Sequence, residues 1–452
     1  MPRRPLLVVI LAAGQGTRMK SAVPKVLHAV GGRSMLGHVL STALELQPQS
    51  LAVVIGPGME AVRAEVVAQA PRASVWVQAE QRGTADAVLA AHKELSSHSG
   101  DVLVVYGDTP LLTAATLNRL LQALDDGLGV AVLGFEAADP SGYGRLKTDE
   151  EGGLAAIREE KDASPEERAI GLCNSGVMAF RQDDLVGLLA RIDNANAKGE
   201  YYLTDAVAIV RKSGARAGIV TCSEDEVLGV NSRDQLAAAE AIFQARARLR
   251  AMQEGATLIA PETVWLSWDT RIGRDVVIEP NVFLGPGVTI DDGAEIKANC
   301  YIERSHIGEG ARVGPFARLR PGADVGPDAR VGNFVELKNT KLGPGAKANH
   351  LSYIGDANVG AKSNIGAGTI FCNYDGFNKH RTELGEGVFV GSNSSLVAPL
   401  KIGAGAYIGS GSVITRDVPA DALALERTKQ EVRPGWAAKF RAVLGRRKVK
   451  AD

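Results

Sequence analysis

A glycine-rich turn directly behind an apolar run is the first stretch of this sequence able to do chemistry. Leu7–Leu11 leads into Ala12-Ala13-Gly14-Gln15-Gly16-Thr17-Arg18-Met19, with Pro24-Lys25 shortly after. Glycines at a strand end let backbone N–H groups come close to a phosphate chain, and Arg18 and Lys25 add positive charge where it gathers. The pattern is not a Walker loop, because no Gly-Lys-Ser/Thr follows, nor a dinucleotide fingerprint, because Met19 stands where the third glycine belongs. Downstream lie Gln78, Gly83-Thr84 and Tyr106-Gly107-Asp108, the last closing a strong strand run. A carboxylate at the C-terminal edge of a parallel sheet is placed to hold Mg²⁺ beside a triphosphate. On the residues alone, a helix N-cap or turn is the equal alternative for Asp108.

A second candidate lies far downstream, in Asn349-His350-Leu351-Ser352-Tyr353. A histidine can serve as general base near neutral pH, although a lone one on a surface is more often structural. Glu336 and Lys338 come close enough before His350, in a coiled chain, to share one face with it. His306 has no such company and reads as structural.

The elements that must position these residues follow two grammars. From Leu6 to about Ser232, the short runs Leu7–Leu11, Leu51–Ile55, Val75–Val77 and Val102–Tyr106 alternate with helix-compatible segments. This predicts a mostly parallel sheet covered by helices. Arg233–Gln253 contains no Pro or Gly and predicts a helix that serves as a stiff connector. Beyond Pro261 aliphatic residues recur every six positions: Ile272, Ile278, Leu284, Ile290, Ile296 and Ile302, then Ile307 through Leu337. The series continues through Leu342, Ala348 and Ile354, then Val359 and Ile365, and closes with Leu384 to Ile414. A period of six suits a parallel β-solenoid with three short faces, and the glycines keep no collagen-like period. Phe371–Glu383, which carries Asn373, Tyr374, Asp375, Gly376, Lys379 and His380, breaks the rhythm and predicts a loop leaving the coil. The expected domains are therefore 1–232, the linker helix 233–253, and 254–452.

Composition agrees with this organisation. A chain of 452 residues exceeds what one core usually supports, and 45% hydrophobic with only 5% aromatic residues calls for aliphatic cores. A formal charge of −1 gives no field for nucleic acid, and the run Arg446, Arg447, Lys448 and Lys450 reads as a solvated tail. Cys173, Cys222, Cys300 and Cys372 lie far apart, as reduced thiols in a cytosol would. Leu6–Ala13 is too short for a signal or membrane segment and reads as a buried strand.

The loop with its downstream lysine resembles the sugar-nucleotidyltransferase family. That resemblance implies Asp108 and Asn231 as ligands of Mg²⁺. It also implies Leu11, Ala12, Ala13, Gly14, Lys25, Gln78, Gly83, Thr84, Tyr106 and Gly107, together with Gly144, Glu159 and Asn174, as contacts of UTP and the UDP-sugar. From Leu6 to about Arg427 the chain resembles a bacterial family of bifunctional N-acetylglucosamine-1-phosphate uridyltransferases and glucosamine-1-phosphate N-acetyltransferases. The resemblance rests on Gly314–Gly322, Gly332–Glu336 and Asn364–Thr369. It implies an α/β Rossmann-like nucleotidyltransferase domain, a connecting helix and a left-handed parallel β-helix of hexapeptide repeats. In the second half it implies His350 as base, Arg320, Lys338, Tyr353 and Asn364 around the amino-sugar phosphate, and Ala367, Asn373, Tyr374, Ser392, Ser410 and Arg427 along acetyl-CoA. It further implies a cytoplasmic homotrimer. Ser410 and Glu160 depart from the family's usual residues. Two rivals stand beside this reading: a catalytically silent solenoid, and a first domain that only binds nucleotide.

Overall fold

The computed structural model describes residues 4–181 and 184–448, so Lys450 of the basic tail lies outside the described residues. The chain packs as two compact units, one running through Leu249 and including Leu266–Trp268, the other made of Arg250–Trp265 and the chain from Asp269 onward.

In the first unit the strand Leu6–Ala12 is buried along its whole length. Its side chains alternate: Leu6, Val8, Ile10 and Ala12 enter the core on one face of the sheet, and Leu7, Val9 and Leu11 the core on the other. Burial on both faces explains why the run reads as continuously apolar. The strand sits centrally, parallel to Ser50–Ile55 on one side and Asp101–Tyr106 on the other. The sheet continues from Ser50–Ile55 to Ser74–Val77, also parallel. On the other side Leu172–Arg181 runs antiparallel to both Asp101–Tyr106 and Val130–Glu136, which pairs in parallel with Ala217–Thr221. The antiparallel hairpin Gly144–Thr148 and Leu154–Arg158 hangs from Leu172–Arg181. Ser34 and Thr113 cap the helices Met35–Glu45 and Ala114–Asp125 by accepting backbone N–H bonds.

The helix Arg233–Gln253 forms as its composition predicts. Within the first unit it is a packed element: Leu236, Ala239, Ile242 and Phe243 close a small core with Val30, Met35, Leu111 and Val230. Gln244 on the same helix is buried, its amide accepting from Leu266 N and donating to Leu266 O.

In the second unit, the repeat aliphatics from Ile278 to Ile414 are all buried, and Ile272 is half-buried. Two-residue strands stack in parallel, so that Val277, Glu295, Arg312, Arg330, Lys347 and Asn364 pair in succession. One ten-stranded sheet forms a face of the coil, and a fifteen-stranded sheet forms the rest. The larger sheet wraps a corner because Glu336–Leu342 and Tyr353–Val359 each pair with strands on both sides of it. Phe371 corrects the expected break: it is fully buried in the repeat register, and the extra chain follows it. The excursion lies between the paired residues Asn364 and Phe389.

Candidate active sites

At the carboxyl ends of the central strands of the first unit, the glycine-rich turn bounds a cavity of about 370 Å³. Leu11, Ala12, Ala13, Gly14, Lys25, Gln78, Gly83, Thr84, Tyr106 and Asp108 line it, together with Gln81 and Glu200. Gly16 adopts φ +63°, and a Cβ there would sit 2.5 Å from Lys25 Cβ, so glycine is what lets the turn close over the lysine stem. Lys25 Nζ lies 2.5 Å from Asp108 Oδ2 and 2.9 Å from Asn231 Oδ1. Residues separated by more than two hundred positions thus meet on one cationic atom. Of the alternatives for Asp108, the helix cap fails, because Thr113 caps the helix that follows, while the turn holds: Gly107-Asp108 forms one at the strand end.

Gln78 donates to the carbonyl of Gly83 at 3.1 Å and to Asp86 at 2.9 Å, so it holds the Gly83-Thr84 turn. Gly83 is pressed against Tyr201, whose carbonyl oxygen lies 2.5 Å from the place of a Cβ. Tyr106 is half-buried at the cavity wall; desolvation pushes its phenol well above the ordinary value, and the charges of Asp108 and Glu159 push it in the same direction. Gly107 follows at the strand end and donates to Leu11 O. Gly144 and Asn174 pair across neighbouring strands. Glu159 accepts from Thr204 at 3.3 Å and lines a second cavity, of about 340 Å³. Its carboxyl is raised chiefly by burial. Glu160, the departure noted above, pairs at 2.8 Å with Arg145, which is almost wholly buried. Arg18 is exposed and does not line the cavity.

In the second unit His350 sits two residues past the core residue Ala348. The pairing of Val331, Ala348, Ile365, Val390 and Ile408 puts Asn333, His350, Ala367, Ser392 and Ser410 at the same place in successive coils. Backbone bonds tie this column together: Leu351 N to Asn333 O, Gly368 N to His350 O, Asn393 N to Ala367 O, and Gly411 N to Ser392 O. Arg427 closes it by donating to Ser410 O at 2.8 Å, a contact that needs only the backbone at 410. At strand spacing the distance from His350 to Ser410 is about 14 Å, which suits an extended ligand. Glycine precedes most of these residues, because a Cβ at Gly332, Gly366 or Gly391 would lie 1.9, 2.5 or 2.4 Å from the backbone of the next coil.

His350 is exposed, and its Nδ1 lies 2.6 Å from Asn333 Oδ1. Beyond the corner, Arg320 donates to Glu336 at 3.0 Å, and Lys338 donates to both oxygens of Asp356 at 2.9 and 3.0 Å. Tyr353 pairs in register with Glu336. Asn373 is buried and donates to Asp356, while exposed Tyr374 donates to Gly376 O in the inserted loop. The fold therefore gathers Arg320, Lys338, Tyr353 and Asn373. Asn364 stands apart on the ten-stranded sheet, beside Lys347. Asp356, Asn333, Gln81 and Glu200 were missed by sequence reasoning. Asn333 could have been found by counting one coil back from His350.

A cavity at the carboxyl ends of a mostly parallel sheet and a histidine column on a solenoid define a nucleotidyltransferase joined to a hexapeptide-repeat transferase. Residues 8–166 match the MobA-like NTP transferase domain, and residues 269–304 and 381–416 match the bacterial transferase hexapeptide repeats. The chain is 60% identical to the bifunctional protein GlmU of Azorhizobium caulinodans, over 99% of this chain and 100% of that protein. It is 58% identical to that of Bradyrhizobium sp. (strain ORS 278), over 98% of each chain, and 54% identical to that of Paramagnetospirillum magneticum, over 99% of each. The chain belongs to the bifunctional GlmU family, and is a nucleotidyltransferase in its first half and an acyltransferase in its second. Among the described residues no helix is long and apolar enough to cross a membrane.

Proposed function

We propose that the enzyme carries out two successive transfers on one sugar phosphate: the amine of glucosamine 1-phosphate is acetylated from acetyl-CoA, and the resulting N-acetylglucosamine 1-phosphate is uridylylated from UTP. In the second step a phosphate oxygen of the sugar bonds to the α-phosphorus of UTP as the bond to the β-phosphate bridge breaks, releasing pyrophosphate. No protein nucleophile is needed. Backbone N–H groups of the Ala13-Gly14 turn cradle the triphosphate, and Lys25 moves from Asp108 onto its phosphates. Gly144, Glu159 and Asn174 hold the sugar. The convergence of Asp108 and Asn231 oxygens on Lys25 Nζ fits this pair to a hard cation such as Mg²⁺, with phosphate oxygens and waters supplying its other ligands. When bound, Mg²⁺ would neutralise charge on the triphosphate and the departing pyrophosphate.

For acetyl transfer, Asn333 Oδ1 accepts from Nδ1–H of His350, the tautomer that leaves Nε2 as base. Nε2 takes a proton from the amine as its nitrogen bonds to the thioester carbon, and the thiolate of CoA departs. Arg320, Lys338, Tyr353 and Asn364 bind the sugar phosphate; Ala367, Asn373, Tyr374, Ser392, Ser410 and Arg427 bind acetyl-CoA. Because Asn364 and Tyr353 lie on different faces of one coil, a neighbouring copy supplies one of them, and the enzyme works as a homotrimer in the cytoplasm. A monomer with full acetyltransferase activity in sedimentation and assay would overturn that assembly. The working division is uridylyl transfer in 1–232, a helix at 233–253 and acetyl transfer in 254–452.

The observation that carries the two-activity reading is the column shared by His350 with Ala367, Ser392 and Ser410, which a silent solenoid does not need. The test supplies UTP, glucosamine 1-phosphate, acetyl-CoA and Mg²⁺ and identifies the product by mass spectrometry. UDP-N-acetylglucosamine is expected; UDP-glucosamine alone, or no UDP-sugar, would sink the proposal.

A further inference from the structure

Asp356 enters neither chemistry described so far, yet four hydrogen bonds converge on its carboxylate. Lys338 Nζ reaches both oxygens, Asn339 donates to Oδ1 at 2.8 Å, and Asn373 Nδ2 donates to Oδ2 at 2.5 Å. The residue is 7% exposed. A carboxylate so buried is costly unless paired, and here one ammonium and two amides do the pairing. Burial pushes this carboxyl up, but the bonds from Asn339, Lys338 and Asn373 outweigh it and hold it below the ordinary range.

Two of these three donors serve different substrates. Lys338 belongs to the proposed sugar-phosphate set, and Asn373 to the proposed acetyl-CoA set. We infer that Asp356 is a positioning residue for acetyl transfer, whose carboxylate fixes the Lys338 ammonium and the amide orientation of Asn373 so that both substrates are held in one register. The inference rests on the acetyl-transfer reading above.

Both polar directions of Asn373 Nδ2 are engaged, one by Asp356 and the other, at 3.5 Å, toward the hydroxyl of Tyr353. A carboxylate only accepts, so Asp356 selects the flip in which Nδ2 faces it and Oδ1 is turned away from it. An acceptor held in that sense can receive an N–H from an amine or from an amide of an extended donor. Glycine at 355 leaves room for this contact, because a Cβ there would lie 2.5 Å from the Tyr353 hydroxyl and 2.7 Å from Asn373 Nδ2. Asparagine at 356 would keep the shape but could donate or accept, so neither flip of Asn373 would be selected and Lys338 would lose its counter-charge. Asp356 has φ +52°, which asparagine also tolerates.

The experiment is steady-state acetylation by full-length Asp356→Asn, measured as thiol release with glucosamine 1-phosphate and acetyl-CoA varied separately. The expected result is a KM for the sugar phosphate raised about tenfold and a KM for acetyl-CoA raised several-fold, with a smaller fall in kcat. Uridylyl transfer and sedimentation should match the parent. A double-mutant cycle separates positioning from general loosening. In a Lys338→Met background, Asp356→Asn should leave the sugar-phosphate KM within about twofold, because the side chain it acts through is gone. Parent-like KM values in Asp356→Asn, or an undiminished effect in the Lys338→Met background, would overturn the inference. If Asp356→Asn changes the melting profile, Asp356→Glu carries the test. It keeps the charge and displaces the oxygens by one methylene, and unchanged KM values would again overturn the inference. Should the parent itself fail to acetylate glucosamine 1-phosphate, the functional reading fails, which is a distinguishable result.

Discussion

The site of the first unit is enclosed by its own core, whereas that of the second is spread along an outer edge. Lys25 and Gln78 are both nearly buried, and the cavity they line is built from turns of a single sheet. His350 is exposed, and its proposed partners divide between two faces of the coil. A doubly wound sheet converges its strand ends on a point, so one chain can enclose a small ligand. A solenoid repeats without converging, so it offers a line of equivalent positions and needs another surface to close it. The first architecture suits compact phosphates and the second an elongated donor.

Four measurements would break or sharpen that contrast. Replacing Asp108 by Ala should bring uridylyl transfer down on the order of 10³-fold by removing a hard oxygen ligand, with acetylation intact. Undiminished UDP-sugar formation would dissolve the proposed metal pair. His350→Ala should cost acetylation on the order of 10²-fold and spare uridylyl transfer. If both activities fall together, the two sites are not independent. Ile296→Val, a fully buried repeat position, should destabilise the solenoid by about 1 kcal/mol, read as a lower melting transition for the second unit alone.

The smallest effect concerns His306, set between Asp324 at 2.9 Å and Asp291 at 2.8 Å. Burial works to lower its pKa, but the two carboxylates prevail and raise it above 6.5. A raised histidine contributes stability that is fully present below its unfolded value and is lost as pH rises through its folded value. The stability of the second unit should therefore decline slightly as pH rises above about 6.5, by less than about 1 kcal/mol because the ring is 44% exposed, and this is read as a falling melting temperature. His306→Gln should flatten that slope, and an unchanged slope would show that the pair is screened out.

Much of this architecture was legible because it is periodic or local. The six-residue repeat places almost every aliphatic side chain in the solenoid core, and the glycine-rich turn follows its strand within a few residues. The expectation for Phe371 failed because its neighbours are irregular, although its own position keeps the count. Asp356 escaped because its importance comes from a corner where two long strands turn, and no spacing in the sequence marks a corner. Glu200 escaped for a different reason: it reaches the cavity next to Tyr201, whose backbone meets the Gly83 turn across more than a hundred residues, through contacts that carry no residue signature. The helix from Arg233 looked like a spacer because its buried stripe is short and mostly small.

The glycines that precede the histidine column have a consequence for how such a site can change over time. At Gly332, Gly366 and Gly391 no side chain fits without separating the coils. Mutational drift along this wall is thereby pushed to the outward positions beside them, and since Asn333 holds the His350 ring, that leaves Ala367 and Ser392. Each of those two positions can be altered without disturbing the spacing of the other. A search for variants that accept a different acyl donor accordingly has a small alphabet of independent letters, and libraries restricted to them should retain folded protein far more often than libraries that include the glycines.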